Sequence, residues 1–331
     1  MFAKFSPDQL AFRDAMRRLM KGDCTPQVLR DIWGGDSAES LWHGVAELGV
    51  LGMTAPEADG GLGLGFLDSI LVHEEAGAAA LPGPFIETAA VGVPLLADAG
   101  LRLWTERVAS GDARLALQID GGIVLDADVA DVMIAIRGGT AQLVTKDAME
   151  CTPVDSVDGS RRLFRVESRG GEELDLSAVA VYEARDRGVV GTAAQLIGLG
   201  RTLLEMSVAY VGERVQFGRA VGSFQAVQHP LANLRVALDF AAPLVYRAAF
   251  ALDRGDDDSP LHASMAKASA SDAAVSASKV ALQVHGAMGY SYEYDLHMYM
   301  KRAWALARSF GDAHKHRRRV GDLLGLPGTE H

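Results

Sequence analysis

The chain has 331 residues, 49% hydrophobic and 23% charged. That is enough apolar material for about two domains with a large core and no disulfide or metal staples. Its formal net charge of −11 excludes the basic coat of a nucleic-acid binder, and the absence of any run of about 18 apolar residues argues against a membrane span. Cys24 and Cys151 offer neither zinc spacing nor a disulfide framework. The stretch Met1–Leu10 has no apolar core or cleavage site of an export signal, so a cytoplasmic location is expected.

Residues 1–108 read as helical. Ser6-Pro7-Asp8-Gln9 predicts a helix start, with Ser6 as N-cap, proline at the first helical position and glutamine three residues after the cap. A second helix is expected around Ser37–Leu48, ending at Gly49. A third runs through Phe66–Ala80 and stops where Pro82 and Pro84 make continuation costly. The glycines at 60, 61, 63 and 65 follow a helix and a proline turn rather than a strand. They predict a tight connection, not a dinucleotide loop.

Residues 109–187 change texture. Short β-prone runs at 123–125, 132–136 and 141–144 are separated by Gly, Asp and Ala-Asp punctuation, and Arg162–Val166 alternates polar with apolar. This predicts a small β-domain. From 188 to 331 the helical signal returns. Ala193, Leu196, Ile197, Gly200, Leu203, Leu204, Ser207, Val208 and Val211 form a stripe at three- and four-residue spacing. Helices are expected over about 224–252, from Ser259-Pro260 to about Val284, and over about 295–324, giving a four-helix bundle. The Ala/Ser-rich helix has more small residues than one core face requires, which predicts burial against other subunits. The basic run His314–Arg319 reads as a solvated last helical turn favoured by the helix dipole. The other reading is an anion contact at a subunit interface. His314 and His316 point in different directions on a helix and have no evident third ligand, so surface histidines and no metal are expected.

Three stretches resemble the acyl-CoA dehydrogenase family: Leu48–Met53 with Pro56-Glu57, Gly60–Gly63 and Glu74–Gly77; Glu213–Arg219 with Gly222–His229; and Gln283–Tyr290. The resemblance covers most of the chain outside the β-domain. It implies a mainly α fold with a small middle β-domain and a C-terminal four-helix bundle, divided 1–108, 109–187 and 188–331. It also implies FAD shared across a subunit interface. Matched residue by residue, Arg214 falls on the arginine of the FAD diphosphate, where a guanidinium fork suits paired phosphate oxygens. Gln216, Phe217 and Gln225 fall on further flavin contacts, and Gln283, Gly286 and Ala287 on a segment whose backbone approaches the cofactor. Position 287 is usually glycine in the family, and its alanine adds a methyl there.

The family's base is a glutamate that removes the α-proton of the thioester while hydride passes from the β-carbon to the flavin. Neither of its two family positions holds one here. The first aligns with Ser309-Phe310-Gly311-Asp312-Ala313 and has glycine. The second aligns with Ala184–Val189 and has glycine or, after a shift of one or two residues, Asp186. Asp186 is a weak catalytic candidate, one methylene short, and reads as a solvated neighbour of Arg185 and Arg187. Asp312 is expected to cap a helix or pair with Arg308 or His316. The β-domain has Leu115–Asp120 where the family has a Thr-Glu-Pro segment, and no tryptophan lies between Trp104 and Trp304.

The combination resembles the smaller subunit of actinobacterial steroid-degrading acyl-CoA dehydrogenases, which are α2β2 heterotetramers. The implied role is a subunit without a catalytic residue that binds FAD while a second dehydrogenase-like subunit supplies the glutamate. An acyl-CoA substrate and an electron-accepting flavoprotein complete the set, with no nucleic acid and no membrane. The alternatives are a self-sufficient homomeric dehydrogenase with an unusual base, and a flavin-free scaffolding protein on the same fold.

Overall fold

The computed structural model describes residues 4–326; the first three residues of the stretch read for an export signal, and the last five of the C-terminal range, lie outside it. Two compact units divide the chain. One contains the chain up to Val72 with Leu81–Gly191, and the other contains His73–Ala80 with the chain from Thr192 onward.

The first unit opens with helices α1 (Pro7–Asp23), α2 (Pro26–Trp33) and α3 (Glu39–Glu47) and the first half of α4 (Phe66–Ala78). Ser6 and Gln9 form the expected reciprocal cap: the Gln9 amide donates to Ser6 Oγ and the Ser6 amide to Gln9 Oε1. The glycine-rich stretch folds back on the 52–55 turn through the Leu62, Gly63 and Leu64 amides. A Cβ on Gly61 would lie 2.1 Å from the Ala55 carbonyl oxygen, so the glycine serves close chain approach. Helices α5 (Val93–Asp98) and α6 (Arg102–Ala109) lead into the strands.

The strands of the expected β-domain form two sheets. Strands β1 (Leu115–Ile119), β3 (Val132–Arg137), β4 (Thr140–Thr145) and β7 (Glu172–Glu173) lie in the order β1-β3-β4-β7, with β1 parallel to β3. Strands β2 (Val124–Leu125), β6 (Leu163–Ser168) and β5 (Met149–Val154) lie in the order β2-β6-β5. Ala116, Val124, Met133, Val144, Phe164 and Val166 form a shared apolar cluster.

Helix α7 (Ala178–Glu213) runs unbroken through both units. Its predicted stripe is buried except for Val208. In the second unit α7 is followed by the short strands β8 (Val215–Gln216) and β9 (Arg219–Ala220), then α8 (Gln225–Arg254) and α9 (Ser259–His285). The expected last helix is two helices, α10 (Leu296–Arg308) and α11 (Ala313–Leu323), because Phe310 and Gly311 are left-handed and end the run. The basic run therefore opens α11 rather than closing a helix, which reverses the dipole argument made from sequence.

Helix α9 packs on α8, α10 and α11. Ala263, Ala266, Ala270, Ala273, Ala274, Ala277 and Ala281 are buried within this one chain. Its surplus of small residues thus has an explanation inside the bundle and requires no second subunit.

Candidate functional site

Two segments at the ends of bundle helices carry the candidate cofactor residues. The first is a hairpin. The Arg214 amide donates to the Tyr210 carbonyl, closing α7, and the Val221 amide donates back to the Arg214 carbonyl at 2.7 Å. Between them β8 and β9 pair as Val215↔Ala220 and Gln216↔Arg219. Phe217 and Gly218 occupy the two-residue loop, both at positive φ, the backbone that such a tight hairpin requires. Phe217 is 92% exposed at the tip. Its ring meets Phe224 edge-on at 6.1 Å, and the Arg219 guanidinium lies 4.0 Å over the Phe224 ring.

Arg214, Gln216 and Gln225 are exposed, and among the described residues no acid pairs with Arg214. Gln225 opens the 30-residue α8, whose cap position, Phe224, provides no side-chain acceptor. First-turn amides and two arginines thus put positive potential around the hairpin.

The second segment ends α9. Gln283, Gly286 and Ala287 are exposed, and Gly286 turns the chain at φ 58° and ψ −132° into the short 3-10 turn Gly286–Tyr290. A Cβ on Gly286 would meet nothing within 4 Å, so the space above that backbone is open. The two segments are linked through side chains. Tyr210, one turn before Arg214, stacks on His285, the residue before Gly286, with ring centroids 4.3 Å apart. A permanent cation with no acid partner among the described residues, an exposed aromatic tip and an unobstructed glycine backbone fit an anionic, planar cofactor such as FAD.

The positions expected for a base are built differently. Gly311 has φ +100°, and a Cβ there would lie 3.0 Å from His316 Nε2. The turn holding it is clamped. Lys267 Nζ donates to Gly311 O at 2.8 Å, Ala307 O at 3.0 Å and Ser271 Oγ at 3.1 Å, while His316 Nε2 donates to Phe310 O at 3.0 Å. His316 is 3% exposed and thus a core residue, not the surface histidine read from sequence. Asp312 accepts from the Lys315 amide as the N-cap of α11, as expected. Those backbone hydrogen bonds hold its carboxyl below the usual range. Beside the turn, Ser271, Asp272, Lys279, Trp304, Arg308 and Asp312 line a cavity of about 460 Å³.

Asp186 is 3% exposed, which overturns the solvated reading: α7 is buried on this face. Arg185 turns away from it to pair with Asp120 and donate to the Gly138 carbonyl. Sequence reasoning missed Lys267, His285 and the Tyr210–Tyr294 rings. A lysine set among small residues in the stretch Ala266–Ser271 of α9 is the available signal for Lys267.

Residues 6–108 match the acyl-CoA dehydrogenase N-terminal domain, and residues 182–324 the acyl-CoA dehydrogenase C-terminal domain. The acyl-CoA dehydrogenase IpdE2 of Mycobacterium tuberculosis is 33% identical over 306 residues, covering 89% of this chain and 91% of that protein. The chain belongs to the acyl-CoA dehydrogenase family, whose cofactor is FAD. In fold it is similar to a chain of the ChsE4-ChsE5 complex of M. tuberculosis, with a TM-score of 0.89, 22% identity and 99% and 100% of the two chains covered. It is also similar to a chain of the Tcur3481-Tcur3483 steroid ACAD G363A variant, with a TM-score of 0.85, 23% identity and 96% and 97% covered. Among the described residues no helix is long and apolar enough to cross a membrane.

Proposed function

We propose that this chain is the subunit of a cytoplasmic heterotetrameric (α2β2) acyl-CoA dehydrogenase that helps bind FAD and leaves the base to its partner. The carrying observation is a contrast within one bundle. Arg214 is exposed with no acid partner among the described residues, and Gln283, Gly286 and Ala287 are exposed. The two segments are joined through Tyr210 and His285, whereas Gly311 and Gly188 provide no carboxylate. Arg214 would hold the diphosphate, with Gln216, Phe217 and Gln225 beside it, and the backbone at Gln283, Gly286 and Ala287 would line the same cofactor. When bound, FAD supplies hydride acceptance in the α,β-dehydrogenation of a CoA thioester; the chain's own residues bind and orient it.

The division into 1–108, 109–187 and 188–331 belongs to this reading. So do a second dehydrogenase-like subunit, an electron-accepting flavoprotein and a steroid-derived acyl group in lipid degradation. The names of the two similar structures, a two-component complex and a steroid ACAD, support the partner and the substrate class.

One observation favours the self-sufficient alternative: Asp186 is buried, as a working carboxyl base can be. Asp186→Asn separates the two readings. Acyl-CoA-dependent reduction of an artificial acceptor is expected only from the chain with its partner, and nearly unchanged in the variant complex. A loss of about a hundredfold, a scale typical of a general base, would assign the base to Asp186. Flavin absorbance absent with and without the partner would favour the scaffolding reading.

A further inference from the structure

Where α7 and α9 end, three rings meet. Tyr210 and His285 stack at 4.3 Å with 23° between their planes, and Tyr294 closes on them at 6.0 Å and 5.0 Å respectively. His285 is 2% exposed. Its Nδ1 lies 2.7 Å from the Ala281 carbonyl oxygen, which can only accept, so the proton sits on Nδ1. Nε2 then carries a bare lone pair, buried and without a hydrogen-bond partner among the described residues. A buried unsatisfied acceptor is unfavourable, so the ring contributes here through its faces rather than through Nε2.

The backbone turns this stack into a link between two segments. The Tyr210 carbonyl takes the Arg214 amide, and the carbonyl of Gln283, two residues before His285, takes the Gly286 amide. Tyr210 is therefore one backbone hydrogen bond from Arg214, and His285 lies within the Gln283–Ala287 segment itself.

We propose that Tyr210, His285 and Tyr294 form a positioning joint, which sets the spacing of the Arg214 hairpin from the Gln283–Ala287 segment without touching the cofactor. The inference rests on reading those segments as two halves of one FAD site. A positioning contact acts by keeping binding groups in register, so its loss weakens a ligand it never meets.

The test uses two readouts in the full chain carrying Cys151→Ser. Nitroxide labels at Val215→Cys and Met288→Cys report the spacing by pulsed dipolar spectroscopy without reference to FAD. FAD retention is measured in the assembled complex without labels. The wild-type distance distribution is expected to be narrow, to broaden in His285→Ala, and to narrow again in His285→Phe, which restores the ring without the nitrogens. FAD retention should weaken about tenfold in His285→Ala and recover in His285→Phe. An unchanged distribution in His285→Ala refutes the joint, and a broadened one with full retention removes its role in the cofactor site. If Arg214→Ala also retains FAD fully, the fault lies with the FAD reading, and the label distances still decide whether the joint exists. Should His285→Ala not fold, Tyr210→Leu carries both readouts from the α7 side.

Discussion

Lys267 has no exposed surface, and its ammonium is held by two carbonyls and a hydroxyl. Burial pulls its pKa down to about 7, opposed by Asp312. A lysine depressed in the fold is charged in the unfolded chain up to about pH 10.5, so between about 7 and 10.5 the unfolded state binds more protons and stability rises with pH. Denaturant titrations at pH 7 and 9.5 should show that rise in the wild type and lose most of it in Lys267→Met. An identical rise in both would mean that Lys267 does not titrate in this window. Acid acts through other residues. Burial holds His73 at about 3 and His316 at about 4, so both are neutral in the fold while the unfolded chain protonates near 6.5. Stability should therefore fall from about pH 6.5 towards 4, less steeply in His316→Gln. The variant's slope matching the wild type's would remove His316 from this account.

At the scale of elements, the crossing of α4 and α7 is the tightest contact. A Cβ on Gly198 would lie 2.0 Å from the Glu74 carbonyl oxygen, and one on Gly77 would lie 2.1 Å from that of Gln195. Beside the crossing the buried Glu74 carboxylate accepts from Arg201 Nη1 at 2.5 Å. Burial raises the Glu74 pKa, with Arg201 and Tyr246 opposing it. The Glu74–Gly77 motif therefore has a packing explanation. Gly198→Ala should cost about 3 kcal/mol, as overpacking between helices does. Thermal unfolding checks this, and an unchanged midpoint would show that the helices move apart freely.

Elements with local signals were legible in the sequence: the Ser6 cap, the α7 stripe and the punctuated strands each follow from neighbouring residues. The Thr25-Pro26 start of α2 is equally local, a helix beyond those expected from the sequence. What failed depended on distant chain. The split between α10 and α11 is held by Lys267, about 40 residues earlier in the chain. The burial of His316 depends on Ser264 across the bundle, and that of Asp186 on which face of α7 is covered. In the candidate site, motif order gave the Arg214 and Gln283 segments, but not the rings that join them.

For the whole molecule, Phe217, Phe240, Tyr290 and Tyr292 are large rings left exposed in the second unit. Aromatic surface of this kind is enriched where chains associate. The chain should sediment as an oligomer, alone or with its partner; a stable, well-folded monomer under both conditions would contradict the assembly reading. Whether this chain holds the charged half of FAD is decided at Arg214. FAD content per complex is measured after gel filtration, with circular dichroism confirming the fold of each variant. Loss of charge-assisted hydrogen bonds should weaken retention roughly ten- to a hundredfold in Arg214→Ala. Arg214→Lys should recover part of it, since an ammonium lacks the guanidinium fork. Full flavin occupancy in a folded Arg214→Ala complex would contradict the claim.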